Sequence, residues 1–572
     1  MFRVVILDGY IDEPSCLGVP PYISPYPRYI AGAVWKFDHK IDVSYLTIDQ
    51  IRNDSSLLSV LSKSDLVIVI AGMVVPGRYL SGFPASPNEL KTIFLKIHKP
   101  MKLLCGPAAK FGFGVSGGKQ TREYSSEDSV FDFNIVGDAE LVVSDLLKNK
   151  MNVKGVDFSH SRAGADEIKD FAKVGTKIVK QHPNFPEYLM CEIETYRGCS
   201  RSITGGCSFC SEPSKGSPDF RAVKDIVDEI KALYTAGCRH FRLGCQPCLF
   251  SYQAENAGIE EFPRPSPDAL DKLFSGIRKV APNLKTLHID NVNPGIIARY
   301  PEESCRIAKT IIKYHTSGDV AAMGVESVDP TVIKSNNLKA SKEEVKSAIK
   351  LINDVGAKRG SNGLPELLPG LNFVFGLIGE SKQTFVQNYD FLKELYDEGL
   401  LLRRINLRQV IPIPNTRLLK QKSKTLYKHK SLFQRFKRQV RENIERPMLS
   451  KMIPSGTVVK DVYIEKHDGK HTFGRQLGSY PLLIGIQGVL PKKKFFDVKV
   501  VDYGFRSVTG IPFPIDINSA SKEIIMGIPG VGKKRANNIL LNRPFKNKDE
   551  FISTFDDPNI AKDIIEYLTF KQ

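Results

Sequence analysis

Three cysteines of one loop have the spacing expected of ligands to a metal centre. In the segment ETYRGCSRSITGGCSFCSEP, seven residues separate Cys199 from Cys207 and two residues separate Cys207 from Cys210. Three thiolates can bind three irons of a [4Fe–4S] cluster and leave the fourth iron open to another ligand. The alternative is a structural zinc site, which would require a fourth Cys or His nearby.

This loop resembles the cluster-binding loop of the radical S-adenosylmethionine (SAM) superfamily, in the form found in archaeal members. The resemblance lies in Arg197-Gly198-Cys199 and in the run from Gly205 to Cys210, although the first spacing is longer than the common Cys-x-x-x-Cys-x-x-Cys. It implies that the thiolates hold a [4Fe–4S] cluster whose open iron binds the amino and carboxylate groups of SAM. It also implies that Phe209 packs near the SAM adenine.

Later segments resemble the SAM-binding strands of the superfamily, in the same order along the chain. The segment His240 to Gln246 stands where the family has a strand ending in Gly-Gly-Glu beside the SAM amino group, here replaced by Gly-Cys-Gln. MGVESVDP and NFVFGLIGES match the strands that contact the SAM ribose or carboxylate and the adenine, and glycines permit close backbone approach there. No catalytic residue is predicted, and the implied cofactor-binding residues are Phe209, Gly244, Gln246, Glu326, Ser327, Gly376 and Gly379.

The remaining cysteines leave two interpretations open. Cys238, Cys245 and Cys248 could bind an auxiliary cluster or take part in radical transfer, but buried free thiols in a core are the favoured interpretation. The related methylthiotransferases normally hold an auxiliary cluster with three N-terminal cysteines, and this chain has only Cys16 and Cys105 in that region. A second cluster would therefore have to recruit Cys245 or Cys248.

The N-terminal segment that precedes the cysteine loop has the pattern of a parallel α/β sheet. Short apolar runs at Val4–Leu7, Val43–Leu46, Leu66–Ile70 and Leu103–Leu104 alternate with helical or loop segments. This layout resembles the cobalamin-binding-like domain of many radical SAM proteins. Because no Asp-x-His-x-x-Gly signature is present, a histidine ligand to cobalt is not supported. Binding of cobalamin is therefore one alternative for this domain, and a Rossmann-like domain with a purely structural role is the default interpretation.

The 572 residues should divide into several domains, because single domains usually hold about 100–200 residues. The expected fold class is α/β, with a Rossmann-like N-terminal domain, a radical SAM partial (β/α) barrel, a small OB-like β-barrel and a C-terminal helix-hairpin-helix. A basic helical stretch at 420–446 is expected to cover the radical SAM domain rather than contact RNA. The predicted boundaries are 1–150, 185–450, 451–511 and 512–572.

Two C-terminal segments resemble nucleic-acid-binding modules. Short glycine-broken runs after Ser455 resemble a TRAM domain, in which basic and aromatic residues grip single strands. The run IPGVGKKR resembles the hairpin of a helix-hairpin-helix, whose backbone amides and lysines approach a phosphate. There is an alternative for each segment. The aromatic residues of the first could only fill the barrel core, and the hairpin of the second could dock another protein. The implied contacts are Arg475, Lys492, Lys493 and Lys494, with Tyr480, Phe495 and Phe496, and then Gly530, Gly532, Lys533, Lys534 and Arg535.

The overall charge agrees with a polyanionic partner. The formal net charge is +18 and the sequence pI is about 9.2, which favours nucleic acid without excluding other basic proteins. No uninterrupted apolar stretch is long enough to span a bilayer, and the N-terminus lacks the core of a signal peptide. The expected location is cytoplasmic, with no membrane partner, and the oligomeric state is not indicated.

Together these features predict a radical SAM enzyme that generates a 5′-deoxyadenosyl radical and modifies RNA, with tRNA favoured by analogy. It would need an electron donor as a further partner. One alternative is a cobalamin-dependent radical SAM methyltransferase that acts on a protein or lipid. Another is a non-catalytic iron–sulfur RNA-binding protein. If the modules are independent, removing residues beyond Lys451 should weaken RNA binding and leave SAM cleavage largely intact.

Overall fold

A computed structural model describes residues 2–12, 16–73, 79–122, 130–420, 428–555 and 557–571. The N-terminal part alternates strands with helices, as the sequence predicts. Its elements are β1 (Arg3–Asp8), β2 (Tyr22–Ile23), α1 (Pro25–Phe37), β3 (Asp42–Thr47), α2 (Ile48–Asn53), α3 (Leu58–Ser62), β4 (Leu66–Ile70), α4 (Pro87–Phe94), β5 (Met101–Cys105), α5 (Pro107–Phe111), β6 (Phe133–Asn134), α6 (Ala139–Lys148) and α7 (Lys169–Val174).

Five of these strands form a parallel sheet in the order β3-β1-β4-β5-β6. All five residues of β4 are buried, because helices cover both faces of the sheet and leave no strand face to water. The strand order reverses between β1 and β4. Open α/β sheets bind ligands at the carboxyl ends of the strands on either side of such a reversal.

The middle of the chain adds two parallel sheets, β11-β10-β7-β2 and β12-β13-β14-β15. The first of them takes its edge strand, β2, from the N-terminal segment. The elements are β7 (Met190–Glu194), β8 (Tyr196–Arg197), β9 (Asp219–Phe220), α8 (Val223–Ala236), β10 (His240–Gly244), α9 (Pro267–Val280), β11 (Thr286–Ile289), β12 (Asn291–Val292), α10 (Pro294–Arg299), α11 (Pro301–Tyr314), β13 (Asp319–Glu326), α12 (Pro330–Asn336), α13 (Lys342–Gly356), β14 (Leu367–Phe375), α14 (Lys382–Asp397) and β15 (Arg404–Gln409).

Side chains alternate along these strands, with apolar residues toward the helices and polar residues on the opposite face. Phe241, Leu243, Phe373 and Leu407 belong to the main apolar core. On the opposite face, Glu192 and Arg242 lie in register on β7 and β10, with His288 beside them on β11. We call the region between the polar faces of the two sheets the lumen.

The basic stretch after β15 forms α15 (Arg417–Lys420), α16 (Lys430–Val440), a π-helical turn at Arg441–Glu445 and α17 (Arg446–Met452). Phe433 and Phe436 are buried, and both rings pack against Phe375 of β14 at 5.2 and 5.1 Å between centroids. The apolar face of α16 therefore covers the β14 side of the sheet. Leu426, also expected on this face, lies outside the described residues.

The C-terminal part begins with a closed barrel in the order β16-β17-β18-β20-β19. Its core is continuous with the helices that follow and with Leu364, Leu368, Leu449 and Met452 of the preceding part. The elements are β16 (Val458–Asp468), β17 (His471–Gln476), β18 (Leu483–Gln487), β19 (Phe495–Tyr503), β20 (Ser507–Pro512), β21 (Ile515–Asp516), α18 (Lys522–Met526), α19 (Lys533–Leu541), α20 (Lys548–Ser553), α21 (Pro558–Ile565) and β22 (Leu568–Thr569).

The parts of the chain are joined by buried polar contacts as well as by shared cores. Arg28 of α1 is fully buried and donates to the Glu192 carbonyl at 2.5 Å and to the Glu229 carboxylate at 2.9 Å. A buried guanidinium left without its partners would be costly, so α1 is fixed to β7 and α8. Within the described ranges, no helix is both long enough and apolar enough to cross a membrane.

Candidate functional site

The cysteine loop is held in place by residues from distant parts of the chain. Ser208, between Cys207 and Cys210, donates from its backbone to the Asn336 carbonyl at 3.0 Å and from its hydroxyl to the Asn336 side chain at 2.7 Å. Arg417 donates to the Gly206 carbonyl at 2.8 Å. The loop conformation is therefore set by the ends of α12 and α15.

Two nitrogen groups face the sulfurs. Arg201 is buried and donates from Nη1 to Cys207 Sγ at 3.2 Å, and the backbone N–H of Glu212 lies 3.4 Å from Cys210 Sγ. Burial raises the pKa of the Cys199 thiol to about 11. The two N–H donors are placed to hydrogen-bond cluster sulfurs, which fits a cluster with a net negative charge.

The arrangement of the thiols bears on the zinc alternative. No three His, Cys, Asp or Glu side chains among the described residues converge as ligands of one metal ion. A zinc site needs four donors within about 2.0–2.3 Å of one ion, whereas the thiolates of a [4Fe–4S] cluster each bind a different iron. Three thiols from one loop are a donor set that fits the cluster.

Phe209 lies in a small apolar cluster that also contains Cys207. Its neighbours come from the ends of three other elements: Leu338 after α12, Leu377 after β14 and Val410 after β15. The structure thus brings the aromatic residue of the cysteine loop to the carboxyl ends of β14 and β15. This is where the sequence predicts the SAM adenine.

The strand end at Gly244 has unusual backbone geometry. A Cβ at Gly244 would overlap the carboxylate of Glu192, so only glycine fits there. Cys245 has φ of +60°, a left-handed conformation that costs a non-glycine residue about 1–2 kcal/mol. Gln246 is 1% exposed, and its Oε1 is a buried acceptor with no hydrogen-bond partner among the described residues. Strain and an unpaired acceptor at one strand end are typical of ligand sites.

Glu326 ends β13, also in a left-handed conformation, with φ of +64°. Burial raises the pKa of its carboxyl to about 7, although the positive charges of Lys339 and Arg408 oppose the shift. Ser327 directly follows β13. Its hydroxyl lies 3.4 Å from Asn388 Oδ1 and accepts from the Asp329 N–H at 3.1 Å, so it shapes the turn after β13.

The two predicted glycines of the β14 turn have positive φ, 90° at Gly376 and 84° at Gly379. The Gly376 N–H donates to Glu380 Oε2 at 2.6 Å, and the other oxygen of Glu380 lies 3.0 Å from His429 Nδ1. The Glu380 carboxylate therefore hydrogen-bonds one side of this turn. The glycines leave its outer side without side chains, which suits close approach of a planar ligand.

The other cysteines of the middle region do not converge. Cys238 lies 3.6 Å from Cys191, sulfur to sulfur, in the helix-covered core. The sulfur of Cys248 accepts from the Asn293 N–H at 3.2 Å. Cys245 alone is hydrogen-bonded to an N-terminal cysteine, Cys16. The structure therefore agrees with the interpretation that Cys238 and Cys248 are buried structural thiols.

Sequence reasoning missed the polar lining of the lumen. Arg242 binds Glu192 at 2.5 Å and also pairs with Asp290. On the facing sheet, the side-chain amides of Asn406 and Asn372 lie 3.2 Å apart, and Asn406 also faces the Arg408 guanidinium. The period-two alternation of charged and apolar residues in HFRLG and RINLRQ is the signal that could have revealed these positions.

A turn of the C-terminal barrel closes the lower end of the lumen. Ser479, between β17 and β18, donates from its backbone to His288 Nδ1 at 3.0 Å and from its hydroxyl to the Ile289 carbonyl at 2.8 Å. Tyr480 donates to Asp290 at 3.0 Å. Tyr480, a predicted RNA contact, thus lies at the lower end of the lumen, and the barrel contacts the radical SAM part through this turn.

The predicted nucleic-acid contact of Arg475 is not supported by its position. Its side chain is 14% exposed and binds both carboxylate oxygens of Glu465, at 2.6 and 2.7 Å. The same guanidinium donates to Ser81 of the N-terminal part at 3.2 Å. These hydrogen bonds connect the barrel to the N-terminal part. Few N–H donors of Arg475 therefore remain to bind a phosphate.

The other predicted nucleic-acid residues lie on the surface. Lys492, Lys493 and Lys494 form an exposed turn before β19. Nearby, Phe495 is 36% exposed and lies 5.7 Å from the ammonium of Lys285. In the second module, Gly530 and Gly532 precede α19, and the helix begins with exposed Lys533 and Lys534. Arg535 turns back to donate to the Gly530 carbonyl at 2.8 Å.

The crevice between β1 and β4 is where cobalamin would be expected. A Cβ at Gly72 would overlap Asp12, and the Gly72 N–H donates to the Tyr10 carbonyl at 3.0 Å. The segment from Tyr10 to Asp12 therefore packs against the chain just after β4. Cobalamin stays an open alternative for this domain, beside a purely structural role.

Comparisons with known proteins agree with this site. The chain matches the Radical SAM superfamily over residues 193–392. It is 50% identical over 515 residues to the Uncharacterized protein MJ0274 of Methanocaldococcus jannaschii, covering 89% of this chain and 93% of that protein. It is 25% identical over 217 residues to the ribosomal protein uS12 methylthiotransferase RimO of Petrotoga mobilis, covering 38% of this chain and 43% of RimO.

Among solved structures, the radical SAM methyltransferase TsrM of Kitasatospora setae, bound to tryptophan and a SAM analogue, aligns with a TM-score of 0.49. The two chains are 14% identical, and the alignment covers 73% of this chain and 75% of TsrM. The superfamily match includes the cysteine loop and the strand ends described above. On this match, and on its relation to MJ0274 over most of its length, the chain belongs to the radical SAM superfamily.

Proposed function

We propose that this radical SAM enzyme modifies RNA, with tRNA as the favoured substrate. When bound, the [4Fe–4S] cluster and SAM supply the 5′-deoxyadenosyl radical through reductive cleavage of SAM, with an electron donor as partner. The observation that carries the RNA proposal is the pair of exposed basic turns on the C-terminal part, Lys492–Lys494 and Lys533–Lys534. Lysines at such turns can neutralise phosphates without reading sequence.

The positions of these turns favour a long substrate. Lys285 approaches Phe495, next to the lysine turn, and immediately precedes β11. The lysine turn therefore lies near the amino ends of the strands, whereas the cofactor residues lie at their carboxyl ends. The nine residues of β14 span about 25–30 Å. A ligand that touches the lysine turn and also reaches the cofactor residues must be about that long, which favours a folded RNA over a free nucleoside.

The residues of this chain hold the site in a fixed geometry. Arg201 donates to a thiolate, while Asn337 donates from its side-chain amide to the carbonyls of Thr204 and Gly206 at 3.3 and 3.2 Å. Lys339 lies between the thiols and Glu326, where its ammonium balances their negative charge. These contacts orient the cofactors and need not change during the reaction, as preorganised sites require.

The cysteine arrangement favours a reaction that uses one cluster. Methylthiotransfer, the activity in the name of RimO, would need a second cluster, and Cys16 and Cys245 supply only two adjacent thiols for it. We therefore favour methylation of carbon or another single-cluster reaction. Iron counting on anaerobically purified protein should give about four irons per chain.

The experiment that tests the proposal is nucleoside mass spectrometry of total tRNA from cells with and without this protein. We expect one modified nucleoside to disappear in its absence and to return with the wild-type chain. Replacement of Cys199, Cys207 and Cys210 by alanine should prevent its return and abolish 5′-deoxyadenosine formation. Cys305→Ala, on α11 outside the site, is the matched control and should restore it. Unchanged nucleosides in both tRNA and rRNA would refute the proposal.

A further inference from the structure

The segment between the first two cluster cysteines reaches the surface of the molecule. Its seven residues, compared with three in the common superfamily pattern, include a short 3-10 helix at Ser200–Thr204. Ile203 of this helix is 49% exposed. Gly205 follows with φ of +78°, and a Cβ at this position would have no atom within 4 Å. The extra length of the loop therefore presents an apolar side chain and open backbone to solvent.

A second exposed loop, just before α9, lies against this segment. Its Glu261 accepts hydrogen bonds from Arg201 Nε at 2.8 Å and from the Thr204 hydroxyl at 3.0 Å. Two positions earlier, Ile259 is 77% exposed. We call the surface formed by these two loops, with Ile203 and Ile259 exposed on it, the isoleucine face. Neighbouring large apolar side chains in water mark surfaces that bind other proteins.

The isoleucine face is connected to a cluster ligand by hydrogen bonds. Cys207 Sγ accepts from Arg201 Nη1 at 3.2 Å, and Nε of the same guanidinium donates to Glu261, which is partly exposed. One guanidinium and two hydrogen bonds therefore separate the sulfur from this face. Electron transfer between proteins slows steeply with distance. A protein that docks on the isoleucine face is therefore well placed to deliver an electron.

Charged side chains surround the cysteine loop and its neighbour. Arg417 is exposed and donates to the Gly206 carbonyl at 2.8 Å, and Lys334 is exposed on the last turn of α12. Within the described part of the chain, neither cation forms an ion pair. The loop before α9 contributes two exposed carboxylates, Glu255 and Glu260. Transient electron-transfer interfaces are small, and the charges at their edges steer the encounter. The unpaired cations beside the cysteine loop, with the net charge of +18, favour an acidic partner.

We propose that the isoleucine face is the docking surface of the electron donor, a small acidic protein with a low-potential iron–sulfur centre. The donor loses one electron to the cluster, and this electron breaks the bond between the SAM sulfur and C5′ to give methionine and the 5′-deoxyadenosyl radical. The inference rests on the proposed function only for its radical chemistry. It names the partner of that chemistry and does not depend on RNA as the substrate.

The test compares two reductants of the anaerobic holoenzyme, dithionite and a low-potential ferredoxin purified from the cells that make this protein. In Ile203→Ser/Ile259→Ser, the dissociation constant of oxidised ferredoxin, measured by calorimetry, should rise about tenfold, because two apolar contacts are lost. SAM cleavage driven by subsaturating ferredoxin should fall by the same factor. Cleavage driven by dithionite should stay at the wild-type rate, because a small reductant needs no docking surface.

The matched control is Leu541→Ser, which removes another exposed aliphatic side chain, 84% exposed on α19. It should change neither ferredoxin binding nor SAM cleavage with either reductant. Iron content measured on each variant reports whether the cysteine loop still holds its cluster.

Should the isoleucine variant load little iron, Lys334→Glu tests the same surface from outside the loop. It reverses an exposed charge and should weaken ferredoxin binding about fivefold at low salt, with dithionite-driven cleavage unchanged. Ferredoxin binding within twofold of wild type in both variants would overturn the inference, as would a loss of tRNA binding with ferredoxin binding intact. Wild-type holoenzyme that dithionite reduces but ferredoxin does not would overturn it as well. Wild-type protein that cleaves no SAM with either reductant would instead refute the radical chemistry of the proposed function.

Discussion

At the scale of single residues, Arg201 has the clearest effect to test. It donates to Cys207 Sγ at 3.2 Å, to Glu261 at 2.8 Å and to the Asn337 carbonyl at 2.8 Å. A donor and a positive charge beside a cluster thiolate stabilise the reduced, more negative cluster. Arg201→Ala should therefore lower the reduction potential by tens of mV, since about 59 mV corresponds to a tenfold change for one electron.

The potential is measured by redox titration followed by electron paramagnetic resonance, with iron content as the check on cluster loading. Glu261→Gln is the matched control, because it changes another partner of Arg201 without touching a sulfur. It should shift the potential much less. A fully loaded Arg201→Ala protein with the wild-type potential would show that the guanidinium only supports the loop.

At the scale of elements, the barrel turn with Ser479 and Tyr480 packs against the radical SAM part. We therefore expect the stability of the radical SAM part to depend on the C-terminal part. A chain that ends at Ser450 would expose Leu364, Leu368 and Leu449, which pack against the barrel core. Burial of each leucine contributes about 1.5–3 kcal/mol. We therefore expect the truncated chain to aggregate or to load little iron, contrary to the modular expectation.

A point substitution tests the same contact without removing the barrel. Ser479→Ala deletes a buried hydrogen bond to the Ile289 carbonyl and should lower the free energy of unfolding by about 1 kcal/mol in chemical denaturation. Ser553→Ala removes an exposed hydroxyl bonded to the Glu550 carbonyl and should have almost no effect. A truncated chain that is soluble and carries a full cluster would restore the modular interpretation.

At the scale of the whole molecule, the net charge of +18 predicts RNA binding that weakens steeply with salt. Replacing Lys492, Lys493 and Lys494 by alanine should reduce the slope of log K against log salt by about 2, at about 0.7 per phosphate contact of a single strand. Fluorescence anisotropy with labelled tRNA over a range of salt concentrations measures this slope.

The control for this prediction removes the same charge elsewhere. Lys231, Lys272 and Lys279 are exposed on α8 and α9, outside the proposed RNA surface. Their triple alanine variant has the same net charge as the lysine-turn variant, so any difference between the slopes reports position rather than total charge. Equal slopes would mean that the lysine turn makes no specific phosphate contact.

Chemistry that depends on local spacing is readable from the amino-acid sequence. Cys199, Cys207 and Cys210 lie in one short loop, so their spacing was enough to predict a cluster and a radical SAM fold. The alternating strand pattern indicated the α/β class, because side chains repeat every two residues in a strand whatever surrounds it. The paired glycines before α19 were likewise readable in the local sequence.

Which polar residues contact each other depends on how distant parts of the chain fold together. Tyr480 and Asp290 are 190 positions apart, and Arg475 and Ser81 are 394 positions apart. No local pattern distinguishes an arginine that pairs with a buried glutamate from one that binds a phosphate, because both are basic residues in a β-strand. The lumen exists only where separate elements pack together, since its donors and charges come from strands that are remote in sequence.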